Sequence, residues 1–384
     1  MHLLRPLLQA SKRLRVACLV SGGVDSCVAA LLLKRQGFNV IGVHLKCWDE
    51  FENGECSEKD RNDASFVCEK LGIEFKEVNY VKEYWNYVFE DFLSSYKRGD
   101  TPNIDVLCNR EIKFGRFIEY ALNVLNVDVV ATGHYAGSSY GTFWENYNLN
   151  ENYSVKLLRA KDRIRDQTLF LSGIHYAALK KVMFPLYNLT KEEVRRIAKD
   201  NGFDKITKRK PTTGICFIGK RNYQNFIDNY LQPKRGYMID IDTNEIVCEH
   251  KGFHYWTLGQ RCTNVSLNKK YFIAHKCRKS NNIFIAGGVD HSSLYSNEFT
   301  VANIHWINGQ PKELESGSFD CMFKFQQKEI LGKCNVTQLD SNKLLVKTKR
   351  MQRCLTPGQT SAFYLGDHCL GSAVIDSYRN SYIN

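Results

Sequence analysis

Three stretches of the chain carry residue types that could do chemistry: a serine–glycine turn suited to phosphate, and two cysteines set among cations. The turn is Ser21-Gly22-Gly23-Val24-Asp25-Ser26, between an apolar run at 16–20 and a helix-like run at 27–35. Two glycines let the backbone turn tightly. The N–H groups at the start of the helix then face negative charge, with the helix dipole behind them. Ser21 and Ser26 add hydroxyls, and Asp25 adds an acceptor. A Walker A loop has the form G-x-x-x-x-G-K-[ST], and this stretch has no lysine. The first thiol, Cys108, follows Thr101-Pro102-Asn103-Ile104-Asp105-Val106-Leu107 and precedes Asn109-Arg110-Glu111-Ile112-Lys113-Phe114. A helix starting at Glu111 would put it beside a helix N-terminus, with Arg110 and Lys113 also lowering its pKa. The second, Cys216, lies in Thr212-Thr213-Gly214-Ile215-Cys216-Phe217-Ile218-Gly219, with basic residues on both sides (205–210 and 220–221). Taken singly, Cys108 also reads as a small buried hydrophobe, and Cys216 as an inert thiol in a solvated basic loop.

The elements that must position these groups follow from hydrophobic periodicity. Strand-like runs at 16–20, 40–46, 73–79 and 128–132 alternate with helical patterns at 27–35, 61–71, 84–96 and 112–125. Such alternation predicts a parallel sheet covered by helices, with ligands at the carboxyl ends of the strands. Ser21, Leu45 and Gly133 lie at such ends. Residues 137–155, rich in Asn and Tyr, read as an inserted polar loop. Thr190 and Glu193 form a capping box that starts a helix at 191–201. From about residue 237 the pattern becomes short alternating runs (237–241, 245–247, 282–286, 319–325, 344–348 and 372–375) broken by Gly and Asn. These predict antiparallel sheets or a barrel. The expected architecture is an α/β catalytic domain at 16–218, a small β-rich domain at 219–295 and a β-barrel at 296–384.

Composition bounds the partners. The 384 residues suffice for two or three domains, and 43% hydrophobic with 24% charged residues is ordinary for a soluble globular protein. No run approaches a membrane span, so no membrane partner is expected. The net charge of +12 points to a polyanion such as nucleic acid. Fourteen cysteines contain no C-x-x-C pair, which argues against a zinc ribbon and for free thiols in a reducing compartment. The first fifteen residues, MHLLRPLLQASKRLR, are basic and free of acids, and read as a mitochondrial presequence.

SGGVDS resembles the PP-loop of adenine nucleotide alpha hydrolase-like enzymes, which cleave ATP between the α and β phosphates. The words SGGVDS, TPNIDVLCNREIKF, ATGHY, RDQTLFLSG, TTGICFIGKR, TLGQR and LTPGQTSAFY occur in the order found in tRNA-specific 2-thiouridylases of the bacterial and mitochondrial type. The similarity runs from Val16 to Ile375. The resemblance implies ATP-dependent replacement of oxygen by sulfur at C2 of the wobble uridine of tRNA. ATP would lie on Leu19, Val20, Ser21, Gly22, Gly23, Val24, Asp25 and Ser26, with Leu45 and Gly133 completing the pocket and Asp25 counted as catalytic. Mg²⁺ would accompany the phosphates. Cys216 matches the persulfide carrier, and Cys108 the second catalytic cysteine, with a catalytic Cys108–Cys216 disulfide between them. Asn103, Ile104 and Asp105 match the segment at the displaced target base. His134, Arg165, Asp166, Gln167 and Gln359 match further tRNA contacts, as do Lys324 and Phe325 in place of the family's arginine–tyrosine pair. Implied partners are the tRNA anticodon arm and a sulfur donor, either a cysteine desulfurase or a sulfur relay protein.

The chain departs from the family where Ile104 replaces a proline, where Arg165 replaces a lysine, and where Cys262-Thr263-Asn264-Val265 replaces a glycine-rich word. Three alternatives stay open. One is another PP-loop tRNA-modifying ligase, which would not need the two thiols. A second is a non-catalytic RNA-binding protein. The third is an iron–sulfur cluster on Asp105, Cys108 and Cys216 in place of the persulfide.

Overall fold

Five parallel strands make the floor on which the serine–glycine turn sits. The structure, a computed structural model, describes residues 14–48, 55–147, 154–209, 223–262 and 269–382. The first strands are β1 (Arg15–Leu19), β2 (Asn39–Lys46), β3 (Glu74–Asn79) and β4 (Val129–Ala131). A short pair follows, β5 (Ala136–Ser138) and β6 (Leu157–Arg159), and then β7 (Val182–Met183). The sheet order is β3-β2-β1-β4-β7, and every pairing is parallel. Val16, Ala17 and Cys18 of β1 are fully buried, as a strand covered on both faces requires. β2 lies on one side of β1 and β4 on the other. The order therefore reverses between β1 and β4, which is where an open α/β sheet binds its ligand. The turn follows β1, and Gly133 follows β4.

Helix Val24–Arg35 ends at Gln36, with Gly37 in the left-handed region (φ 84°), as its sequence position predicts. The capping box also forms: Thr190 Oγ1 accepts from Glu193 N at 3.2 Å, and Glu193 Oε2 accepts from Thr190 N at 2.6 Å. Two helices differ from the sequence reading. Residues 104–123 are helical throughout, as Ile104–Cys108, a π-helical Asn109–Arg116 and Phe117–Asn123. A second π-helical segment, Trp85–Phe89, interrupts the helix between Val81 and Lys97. Wide π turns shift the side-chain period, so a 3.6-residue template misplaces the start of the first helix. Gly115 belongs to that wide turn, because a Cβ there would lie 2.7 Å from Arg110 O.

The middle domain is a four-stranded sheet of β8 (Gly236–Asp240), β9 (Ile246–His250), β10 (Tyr271–Cys277) and β11 (Asn282–Gly287), in the order β10-β11-β8-β9. The last domain contains β12 (Tyr295–Trp306), β13 (Ser318–Lys324), β14 (Gly332–Gln338), β15 (Lys343–Arg353), β16 (Thr360–Leu365) and β17 (His368–Tyr378). Here β12 pairs with both β15 and β17, closing a barrel around Phe299, Phe323, Phe363 and their neighbours. The expected α/β domain followed by two β domains, the last a barrel, is what the chain forms.

The segment read as an inserted loop has a structural job at its ends. β5 and β6 pair with each other, and β6 pairs with β17 through Leu157↔Cys369 and Leu158↔His368. A hairpin from the first domain thus extends the barrel sheet. Beneath the splice Asp166 accepts from Arg159 Nε at 3.2 Å, Lys324 Nζ at 3.1 Å and Thr168 Oγ1 at 2.9 Å. Asp166 is 0% and Lys324 3% exposed, so neither can meet a base, contrary to the expectation from sequence. Phe325 is buried too, stacked on Phe323 at 6.2 Å. Asp166 and Lys324 join the two domains, and Phe325 packs in the barrel core. A buried charge left without its partner costs about 3–5 kcal/mol. Asp166→Asn should therefore destabilise the full chain by about 3 kcal/mol in denaturant melts; an unchanged midpoint would contradict this account of the joint.

Candidate active site

The turn is closed by its own serines. Ser21 N donates to Ser26 Oγ at 3.1 Å, Ser26 Oγ donates to Gly23 O at 3.0 Å, and the two hydroxyls lie 3.3 Å apart. Gly22 has φ 76°, and a Cβ there would sit 2.5 Å from Asp60 O. Opposite it, a Cβ on Gly133 would sit 2.7 Å from both Asp25 C and Ser26 N. The helix start is therefore pressed between two backbones. Gly23 caps the helix with no side chain. The first-turn N–H groups, which have no partner inside a helix, remain available to an anion. Leu19 and Val20 lead into the turn. The β1–β2 register, with Leu19 opposite Val43, carries Leu45 alongside it.

Asp25 is not free in this arrangement. Lys191 Nζ lies 2.7 Å from each of its carboxylate oxygens, and Tyr135 Oη donates to Asp25 Oδ1 at 2.8 Å. Burial first, and then the Asp25 charge, push the Tyr135 hydroxyl pKa well up, which keeps it a donor. Lys191 opens helix Lys191–Asp200, and its backbone N donates to Asp162 Oδ2 at 2.9 Å. Gln167 braces Tyr135 twice: Tyr135 N donates to Gln167 Oε1 at 2.9 Å, and Gln167 N donates to Tyr135 O at 2.8 Å. Sequence reasoning missed both Lys191 and Tyr135. The capping box fixed where Lys191 would start its helix, but no pattern said that this helix end faces the turn.

Cys108 ends the helical turn Ile104–Cys108, whose N-cap, Asn103, accepts from Val106 N at 3.4 Å. The thiol is buried and not at a helix N-terminus, so the expected depression of its pKa is reversed. Burial pushes it up, Lys113 opposes that, and Asp105 adds to it. Asp105 is reached by solvent but flanked by protein, and lost hydration raises its carboxyl while Lys113 pulls it down. The His134 ring shares a hydrogen bond with Thr132 Oγ1 at 2.9 Å. Lost hydration and then Lys113 hold its pKa well below the ordinary value, so it stays neutral. Lys113 thus acts on Cys108, Asp105 and His134 together. Ile104 is buried, whereas Arg165 is exposed. Gln359 Nε2 donates to Thr101 O at 2.7 Å, tying a barrel loop to the segment before Asn103.

Cys216 lies outside the described residues, but the approach to it does not. Asp63 pairs with Lys205 at 3.0 Å and Arg209 at 3.3 Å, and Arg209 also pairs with Asp60. Asp60 is the residue whose carbonyl abuts Gly22, so the segment leading to Cys216 departs from beside the phosphate turn. Part of the basic run that precedes Cys216 is spent on these two acids.

Residues 14–220 match the tRNA methyl transferase HUP domain, 224–287 the tRNA methyl transferase PRC-barrel domain, and 296–375 the aminomethyltransferase beta-barrel domain. The chain is 45% identical over 360 residues to mitochondrial tRNA-specific 2-thiouridylase 1 of Drosophila melanogaster, covering 93% of this chain and 92% of that protein. The human protein of the same name is 41% identical, with 94% and 90% covered. The tRNA-specific 2-thiouridylase MnmA of Mycoplasma capricolum is 40% identical, with 93% and 97% covered. The chain belongs to the tRNA-specific 2-thiouridylase family. In this thiouridylase the Cys108 thiol should be mostly protonated at neutral pH in the free protein. Its alkylation rate, followed by peptide mass spectrometry, should keep climbing above about pH 9. A plateau reached near neutrality would contradict the buried placement.

Proposed function

We propose that this thiouridylase activates the C2 oxygen of the tRNA wobble uridine with ATP, then replaces it with sulfur carried as a persulfide on Cys216. The observation that supports the reading is that Gly133 abuts the phosphate turn while the ring of His134, the next residue, lies 5.7 Å from that of Phe114, in the helical segment that continues from Cys108. On this reading the adenylating residues and Cys108 serve one reaction from the two sides of this strand end. ATP phosphates would rest on residues 19–26, and Mg²⁺ carried by those phosphates would supply charge neutralisation. The uridine O2 attacks the α phosphorus, the N3 proton goes to solvent, and the Pα–O bond breaks with its electron pair on pyrophosphate. The terminal sulfur of the Cys216 persulfide then attacks C2 and AMP departs. Cys108, as thiolate, attacks the Cys216 sulfur, so the S–S bond breaks, the transferred sulfur stays on C2, and a Cys108–Cys216 disulfide remains. A dithiol reductant resets it. The buried Cys108 thiol must lose its proton for that step, and Asp105, with its raised carboxyl, is suited to take it.

On this reading Asn103, Asp105, His134 and Arg165 remain the candidates for RNA contact, whereas Asp166 and Lys324 hold domains together and Phe325 packs in the barrel core. Gln167 and Gln359 act as braces. The sulfur comes from a cysteine desulfurase or a relay protein. Residence in mitochondria and a presequence at 1–15 are proposed from the relatives' names and the basic leader; residues 1–13 lie outside the described residues. The domain limits are proposed at 16–218, 219–295 and 296–384. The test is tRNA incubated with ATP, Mg²⁺ and a persulfide source, digested and weighed. Cys108→Ser and Cys216→Ser should each abolish 2-thiouridine while pyrophosphate is still released. Undiminished thiolation in either variant would remove that cysteine from the mechanism.

A further inference from the structure

The phosphate turn contains no lysine and carries a carboxylate in the first turn of its helix, where a triphosphate would be repelled. Lys191 cancels that charge from a different element. Its ammonium bridges both oxygens of Asp25 at 2.7 Å with only 20% of its side chain exposed. Its root is fixed by the Asp162 hydrogen bond and the capping box, so the flexible stem is what can move the charge. Among the described residues, Lys205 and Arg209, which also approach the turn, are held by Asp60 and Asp63.

We propose that Lys191 is the phosphate-binding lysine of this site, parked on Asp25 in the free protein and engaging the β and γ phosphates of a nucleoside triphosphate when it docks. This deepens the adenylation reading above and rests on it. Three hydrogen bonds to Asp25, two from the Lys191 ammonium and one from the Tyr135 hydroxyl, hold the carboxylate in place beside the helix N-terminus. A phosphate oxygen entering there meets an ammonium already at the site. As the Pα–O bond breaks, its electron pair moves onto pyrophosphate, and the Lys191 ammonium stabilises that charge without gaining or losing a proton. Asp25, with its lysine drawn away, would be free to hold a divalent cation brought in with the triphosphate, which would supply charge neutralisation there. Lys191 thereby becomes a catalytic residue, and Tyr135 a positioning residue that orients Asp25.

The experiment compares binding of ATP and AMP to the full-length protein by calorimetry, with pyrophosphate release measured in parallel. Lys191→Met should weaken ATP binding at least ~10-fold, leave AMP binding unchanged, and slow pyrophosphate release ~100-fold. Lys191→Arg should recover most of the ATP affinity. The pair Asp25→Asn with Lys191→Met restores charge balance and guards against misfolding; it too should have lost the preference for ATP over AMP. Equal loss of ATP and AMP binding in the double variant would make the lysine structural and overturn the proposal, as would ATP binding and pyrophosphate release unchanged in Lys191→Met. Wild-type protein that discriminates ATP from AMP through Lys191 yet forms no thiouridine would sink the thiolation reading and leave this one standing.

Discussion

Gly133 leaves no room for a side chain between the end of β4 and the first turn of helix Val24–Arg35. The rest of the site depends on that close approach, because the residues on either side of it are placed by it. Thr132 anchors the His134 ring, His134 shares the field of Lys113 with the Cys108 thiol, and Tyr135 reaches back to Asp25 in the turn. The strand exit at 132–135 thus touches the serine–glycine turn on one side and shares the influence of Lys113 with Cys108 on the other. Any larger residue at 133 would push the two apart, whatever chemistry each retained.

A second set of contacts ties this junction to the barrel. The stretch from 159 to 168 sends Asp162 to the backbone of Lys191, Gln167 to the backbone of Tyr135, and Asp166 to Lys324 of the barrel. The β6–β17 pairing runs alongside. One short segment is therefore fastened to the ATP turn at one end and to the last domain at the other. The buried charges in it cost desolvation and are compensated by several partners each, the arrangement in which a buried carboxylate is tolerated.

The legible parts of the sequence were those where local pattern and tertiary role agree. The apolar runs of β1 and β2, Gly37 after the first helix, the Thr190–Glu193 box and the change to short strands after residue 236 all formed near their expected positions. The π-helical segments were not legible, since their period fits neither template. Moving the helix start back to Ile104 changed the setting of Cys108 from an exposed helix N-terminus to a buried helical turn, which reversed the sign of its pKa shift. Asp166 and Lys324 were expected at the tRNA because nothing local reveals that a hairpin from one domain will extend the sheet of another. The Lys191–Asp25 pair, 166 residues apart in sequence, was hidden for the same reason.

The central claim is that the oxygen lost from uridine leaves on AMP. It is tested most directly with a tRNA carrying ¹⁸O at C2 of its wobble uridine, in a single turnover with ATP and a persulfide source. The account predicts AMP that contains one ¹⁸O in its phosphate, matched by loss of the label from the thiolated base. Unlabelled AMP accompanying 2-thiouridine would contradict adenylation at O2, and with it the pairing of this phosphate turn with these thiols.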